Sequence, residues 1–166
     1  MHAIDTSRLN VAWKLKSVAF TLAQTLGWHR AQSIKDDDRD TRIRKEKMFY
    51  FLYVLDKGLS LRLGRAGLFQ DFDIDLPYPE IGDDALGRAC TEEYRLFIQV
   101  ARIQGLIYEQ LYSPGALREN AETRNHRAQI LVDQLNGLRE RNLAVSLILR
   151  APAQSLTKTV GQESWA

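Results

Sequence analysis

Apolar residues recur at helical spacing along most of the chain, and that spacing predicts four main helices. Over residues 7–26, Leu15, Val18, Ala19, Leu22 and Leu26 follow the i, i+3, i+4, i+7 rhythm, with Lys14 and Lys16 off the stripe. Asp5, Thr6 and Ser7 offer capping oxygens at its start, and Gly27 stands where a left-handed terminal residue is wanted. A second helix, residues 42–63, carries Met48, Phe51, Leu52, Leu55 and Leu59 on one stripe, while Phe49, Tyr50, Tyr53 and Val54 fill its other sides. A helix apolar nearly all round is normally enclosed by partners. Aromatic side chains bury about 150–250 Å² each, so this segment is expected to dominate the core through Phe49, Phe51, Leu52 and Leu55. Phe51→Ala is accordingly expected to cost ~3–5 kcal/mol. Asp56, an acid in apolar company, requires a basic partner such as Arg62 or Arg65.

Gly64 and Gly67 end the second helix, and strict polar–apolar alternation follows from Asp71 to Leu76. Period two predicts an extended segment with Phe72, Ile74 and Leu76 facing inward and the aspartates facing water. Pro77 and Pro79 bar it from a central strand, so it reads as a loop laid across helices. A third helix, residues 85–112, takes its cap from Asp83 or Asp84 and its stripe from Leu86, Ala89, Cys90, Tyr94, Phe97, Ile98, Ala101 and Leu106. Ser113-Pro114-Gly115 stops it. The fourth, residues 119–149, begins with polar turns and is carried by Ile130, Leu131, Leu135, Leu138, Val145 and Ile148. The fold expected is all-α: an irregular array of about four main helices with a docked extended loop. One domain occupies residues 1–150, and residues 151–166 form a disordered tail.

Composition narrows the functions. With 45% hydrophobic and 27% charged residues, the 166-residue chain has the mixture of a globular domain rather than a disordered one. A formal charge of +2 excludes the broad positive field of a histone-like binder. The longest apolar run, Met48 to Leu55, is eight residues, far short of the ~20 a membrane span needs. Cys90 is the single cysteine, so no intramolecular disulfide forms, and an intracellular setting is expected. With His2, His29 and His126 scattered, it supplies no zinc site of about four ligands in closely spaced pairs.

Motif chemistry is tested and found wanting. Asp71, Asp73 and Asp75 match the first three ligands of a calcium loop, but Leu76 and Gly82 stand where its glycine and bidentate glutamate belong. Gly64-Arg65-Ala66-Gly67 lacks the spacing and strand context of a phosphate cradle. Glu122 and His126 form one helical pair without the Glu-x-x-His repeats of a di-metal bundle. The charged run 35–47, six basic against five acidic, reads as a solvated loop entering a helix. Cys90, on a core stripe, reads as a small buried hydrophobe. Trp13, Trp28 and the tyrosines lie among basic residues, yet helical core packing accounts for them more plainly than base stacking. No catalytic, metal-binding or DNA-binding residue is assigned.

Five short motifs in order carry a resemblance. They are Ala12-Trp13 through Gly27-Trp28-His29-Arg30, Met48 through Lys57, Leu59 through Arg65, Asp71 through Pro77, and Leu111-Tyr112-Ser113 before the leucines of 131–138. Together they resemble the fungal-specific transcription factor domain, the helical middle region of zinc-cluster transcription factors. Trp28 replaces the family's usual leucine, Tyr50 its tryptophan and Ala66 the proline after Gly64-Arg65. The resemblance implies Gly64 and Arg65 as the family turn, a nuclear location and a part in regulating transcription. The family's DNA reader is a six-cysteine zinc cluster, which one cysteine cannot build. Zinc is therefore expected only with a cysteine cluster upstream of this chain, and no cofactor is expected within it. The segment is expected to be a partial domain, with uncovered helical faces that take protein partners or a second copy. DNA is touched only indirectly, and no membrane is involved. Two other readings stand beside this one: a stand-alone interaction module pairing with full-length relatives, and a helical ligand-binding protein or enzyme.

Overall fold

Asp38 starts the central helix, its carboxylate accepting the Thr41 N–H at 3.0 Å and so satisfying one of the free donors of the first turn. That helix, α2 (Arg39–Leu63), follows α1 (His2–Thr25) and a 3₁₀ turn at Ala31–Ile34. A second short turn, Asp71–Asp73, precedes α3 (Ala85–Ile107), which runs on into a π-helical turn at Tyr108–Tyr112. A last 3₁₀ turn, Ala116–Arg118, leads to α4 (Ala121–Arg150). The computed structural model describes residues 2–82 and 85–150, with side chains over 10–82 and 86–142. Among these the protein is all-helical, with four helices and no strand. The expected caps at Asp83 and Asp84, the side chains of Asp5, Thr6, Ser7, Val145 and Ile148, and the expected tail 151–166 lie outside the described residues.

Both α1 and α2 end on the same device. Gly27 and Gly64 take φ of +71° and +62°, a region open to glycine at little cost. Each is followed by a backbone N–H reaching back into the last turn of its helix: Trp28 to the Ala23 carbonyl at 3.0 Å, Arg65 to the Ser60 carbonyl at 2.9 Å. The chain thereby reverses, and α1 and α2 lie side by side over the same ring. Phe20 of α1 meets Phe69 edge-on at 4.6 Å between centroids, and Phe49 of α2 meets it at 4.9 Å.

The core has two parts, one on either side of α3. Phe49, Tyr50, Tyr53, Phe69, Ile34 and Leu76 join Ile98 and Ala101 of α3. Leu96 and Ile103, also on α3, join Leu131 and Leu138 of α4. A helix packed on two sides needs two stripes, which is why Leu96 and Ile103 escape a one-stripe reading while Leu86 and Phe97 prove exposed.

Several expectations are corrected here. Phe49 is fully buried and Leu52 packs at the core's edge, but Phe51 and Leu55 are exposed. The reason is that α2 has partners on one side only; Met48, Phe51 and Leu55 share the other. Loss of ~3–5 kcal/mol on truncation therefore belongs to Phe49, and not to Phe51 as a core residue. On α1 the stripe Leu15, Val18, Leu22 and Leu26 faces outward, while Lys16 and Ala23 are buried. Ile130 on α4 is also exposed.

Candidate functional site

The buried Asp56 carboxylate is the centre of the molecule's polar chemistry. It accepts from Lys16 Nζ at 2.6 Å, from the backbone N–H of Leu68 at 3.0 Å and Phe69 at 2.9 Å, and from Ser60 Oγ at 3.3 Å. One side chain thus joins α1, α2 and the turn that follows α2. Full burial of a charge is costly unless it is paired and hydrogen-bonded, and four donors meet that condition. Burial lowers the Lys16 ammonium below the ordinary lysine range; the hydrogen bond and charge of Asp56 oppose the shift, and Arg65 adds to it. Lys16 also lies 3.3 Å from the centroid of the Trp13 ring, and the Arg65 guanidinium lies 5.3 Å from the same ring. The partner of Asp56 is therefore Lys16, and not Arg62 or Arg65. Arg65 instead donates to Asn10 Oδ1 at 3.2 Å.

The next residue repeats the logic. Lys57 Nζ donates to the Phe69 carbonyl at 2.8 Å and pairs with Asp71 at 2.8 Å. Two glycines make room: a Cβ on Gly67 would stand 3.0 Å from Asp56 Oδ2, and one on Gly105 3.0 Å from Lys57 Cδ. Tyr53 Oη donates to Asp71 Oδ1 at 2.9 Å, and Arg102 of α3 lies 3.6 Å from its other oxygen.

The acidic loop departs from its expected pattern for this reason. Asp71 is drawn inward by Tyr53 and Lys57, the backbone tightens into a turn, and Phe72 is thrown out to 89% exposure. Asp73 pairs with Arg30 and Asp75 Oδ1 accepts the Ala31 N–H at 2.8 Å, so these aspartates fasten the loop rather than merely facing water. Ile74 is half-buried and Leu76 buried, with the Leu76 carbonyl accepting from Tyr50 Oη at 2.6 Å. The loop is docked, but by carboxylates as much as by apolar side chains. The signal that could have revealed this is the presence of Tyr53 and Lys57 on one side of α2 with Asp71 a short distance on; the Arg30–Asp73 pair, 43 positions apart, leaves no such local sign.

Beside the loop lies an open cleft of about 400 Å³ lined by Tyr50, Tyr53, Asp71, Tyr78, Ile98 and Arg102. Burial pushes the Tyr50 and Tyr53 hydroxyls far above the ordinary tyrosine range, so neither serves as a base near neutral pH. Cys90 is the single cysteine of the sequence, and the described residues contain no group of three or more His, Cys, Asp and Glu side chains placed to hold a metal ion. No helix among them is long and apolar enough to cross a membrane. At the end of α2 the N–H groups of Gly64 and Arg65 donate to the Leu61 and Ser60 carbonyls.

The family model for the fungal specific transcription factor domain matches residues 1–145. A transcriptional regulatory protein of Schizosaccharomyces pombe is 30% identical over 126 residues, 69% of this chain and 16% of that protein. An ABC-transporter-regulating transcription factor of Aspergillus fumigatus is 27% identical over 114 residues, 64% of this chain and 13% of that protein. A negative regulator of pleiotropic drug resistance of Candida glabrata is 26% identical over 112 residues, 66% of this chain and 11% of that protein. The chain thus spans less than a fifth of the length of these relatives. No solved structure matches it.

Proposed function

Since this chain belongs to the fungal-specific transcription factor domain family, we propose that it acts as a regulatory, protein-contacting region in the control of DNA-templated transcription in the nucleus, and not as an enzyme. The observation that supports this is the use of the central polar groups. Asp56, Lys57, Asp71 and the tyrosine hydroxyls are bonded to one another and to the backbone, holding helices in register. Groups so engaged hold a shape; they do not wait for a reacting substrate. The mechanism is conformational: a signal that loosens the Asp56 junction shifts α1 and the turn after α2 together.

A reporter strain tests it. Fused to a heterologous DNA-binding module, the chain is expected to shift reporter output away from that of the bare module, and Asp56→Ala is expected to remove the shift. Equal output from fusion and bare module, at equal protein level, would contradict the reading. The chain alone is expected to give no sequence-specific footprint on duplex DNA at physiological salt, because +2 overall supplies little phosphate attraction. A footprint would overturn the indirect role assigned to DNA.

The cleft beside Tyr78 favours a second reading, response to a small molecule, since its volume is in the range of ligand pockets. A compound that occupies it raises the melting temperature, and Tyr78→Ala removes that rise.

A further inference from the structure

The outer surface of α1 and α2 carries more apolar area than a free monomer normally shows. On α1 and its last turn, Val11, Leu15, Val18, Leu22 and Leu26 are each 56–67% exposed. Met48, Phe51 and Leu55 of α2 are exposed as well. Phe20 and Phe49 both point at Phe69, so the two helices bury the same side of their layer and turn these stripes to the opposite side. At about 100 Å² for each half-exposed large side chain, the eight present on the order of 800 Å², above the ~300–600 Å² of a typical monomer's largest patch. That is also one partner's share of a standard specific interface, about 800 Å² a side.

We propose that this face seats a second copy of the chain, α1 against α1 in antiparallel fashion, about a two-fold axis beside Val18. The spacing of the stripe is the reason for this occupant. Under a two-fold axis between positions 18 and 19, Val11 meets Leu26 of the second copy, Leu15 meets Leu22, and Val18 meets Ala19, one residue from its own equivalent. The pattern complements itself, as an isologous interface demands. Charge selects the direction. Between residues 10 and 26 the charged side chains are Lys14 and the buried Lys16. Parallel pairing sets Lys14 against Lys14, whereas antiparallel pairing sets it beside Thr21 and Gln24 of the second copy. The flanking Met48 and Phe51 extend the contact from α2.

The inference supplies the partner for the protein-contacting role proposed above, but its test reads mass and register instead of transcription, so either can fail while the other stands. Light scattering of the 166-residue chain at micromolar concentration is expected to give twice 19.0 kDa. Leu22→Glu is expected to give 19.0 kDa with unchanged helical circular dichroism, because Leu22 contributes nothing to the core. In a Cys90→Ser background, Val18→Cys is expected to cross-link on oxidation. Leu26→Cys alone is not, since its two copies stand about 22 Å apart at 1.5 Å per residue. A mixture of Val11→Cys and Leu26→Cys chains cross-links again. A wild-type monomer, an open-ended aggregate, a dimeric Leu22→Glu variant, or Leu26→Cys cross-linking as readily as Val18→Cys would each overturn the proposal.

Discussion

Asp56 concentrates the stability of the molecule in a single carboxylate. Removing it leaves the Lys16 ammonium buried without a counter-charge and two backbone N–H groups without acceptors. Breaking a buried pair from one side costs about 3–5 kcal/mol, so Asp56→Ala is expected to lose that much in urea unfolding. Lys16→Met is expected to lose less, because the carboxylate keeps its two backbone donors and Ser60. Equal losses would show that the backbone bonds count for little. Glu46 gives a second test at this scale. Burial raises its carboxyl above the ordinary glutamate range; Arg42 opposes the shift and Glu80 adds to it. The folded state then holds a proton that the unfolded chain gives up, so stability falls as pH rises from the ordinary glutamate value through the raised one. Glu46→Gln is expected to unfold at higher urea than wild type at neutral pH, with the advantage fading in acid. An advantage independent of pH would contradict this.

At the scale of elements, the two glycine-terminated helices make a matched comparison. Gly64 has open space where a Cβ would go, so Gly64→Ala bears only backbone strain, about 1–2 kcal/mol for the left-handed region. A Cβ on Gly27 would also collide with Ser33 Oγ. Gly27→Ala is therefore expected to cost more than Gly64→Ala, and adding Ser33→Ala to it is expected to recover part of the difference, since the Ser33 Cβ still lies 3.0 Å from the new methyl group; thermal unfolding of the three variants checks the order. Both helix ends were legible in the sequence, because glycine after an apolar run has a local meaning. Which side of each helix faces the core was not. Leu15, Leu22, Phe51 and Leu55 form good helical stripes, and periodicity cannot tell a stripe that meets the core from one that meets solvent. Lys16 misleads in the opposite sense, since a lysine counts as polar until an aspartate forty positions on is known to meet it.

For the whole molecule, the all-helical class followed from the spacing of apolar residues and the family from the order of short motifs, and the residues behind them now have physical roles. The Met48–Lys57 segment supplies Phe49, Tyr50 and Tyr53 to the core and Asp56 and Lys57 to the junction. The acidic segment returns to that junction through Asp71. The candidate site was less legible than the fold because it consists of contacts between segments, and a loop of alternating residues gives no sign that its acids are the anchors. What results is a two-helix layer pinned on one side by Asp56 and Phe69, with an apolar face on the other. Hydrogen exchange at Leu68 and Phe69 tests that pinning most directly, because both amides lie beyond the end of α2 and have the Asp56 carboxylate as acceptor. They are expected to exchange as slowly as the amides of α2 in the wild type, and to open in Asp56→Asn while α4 keeps its protection. Exchange as fast as a solvent-facing loop in the wild type, or no change in the variant, would contradict the account.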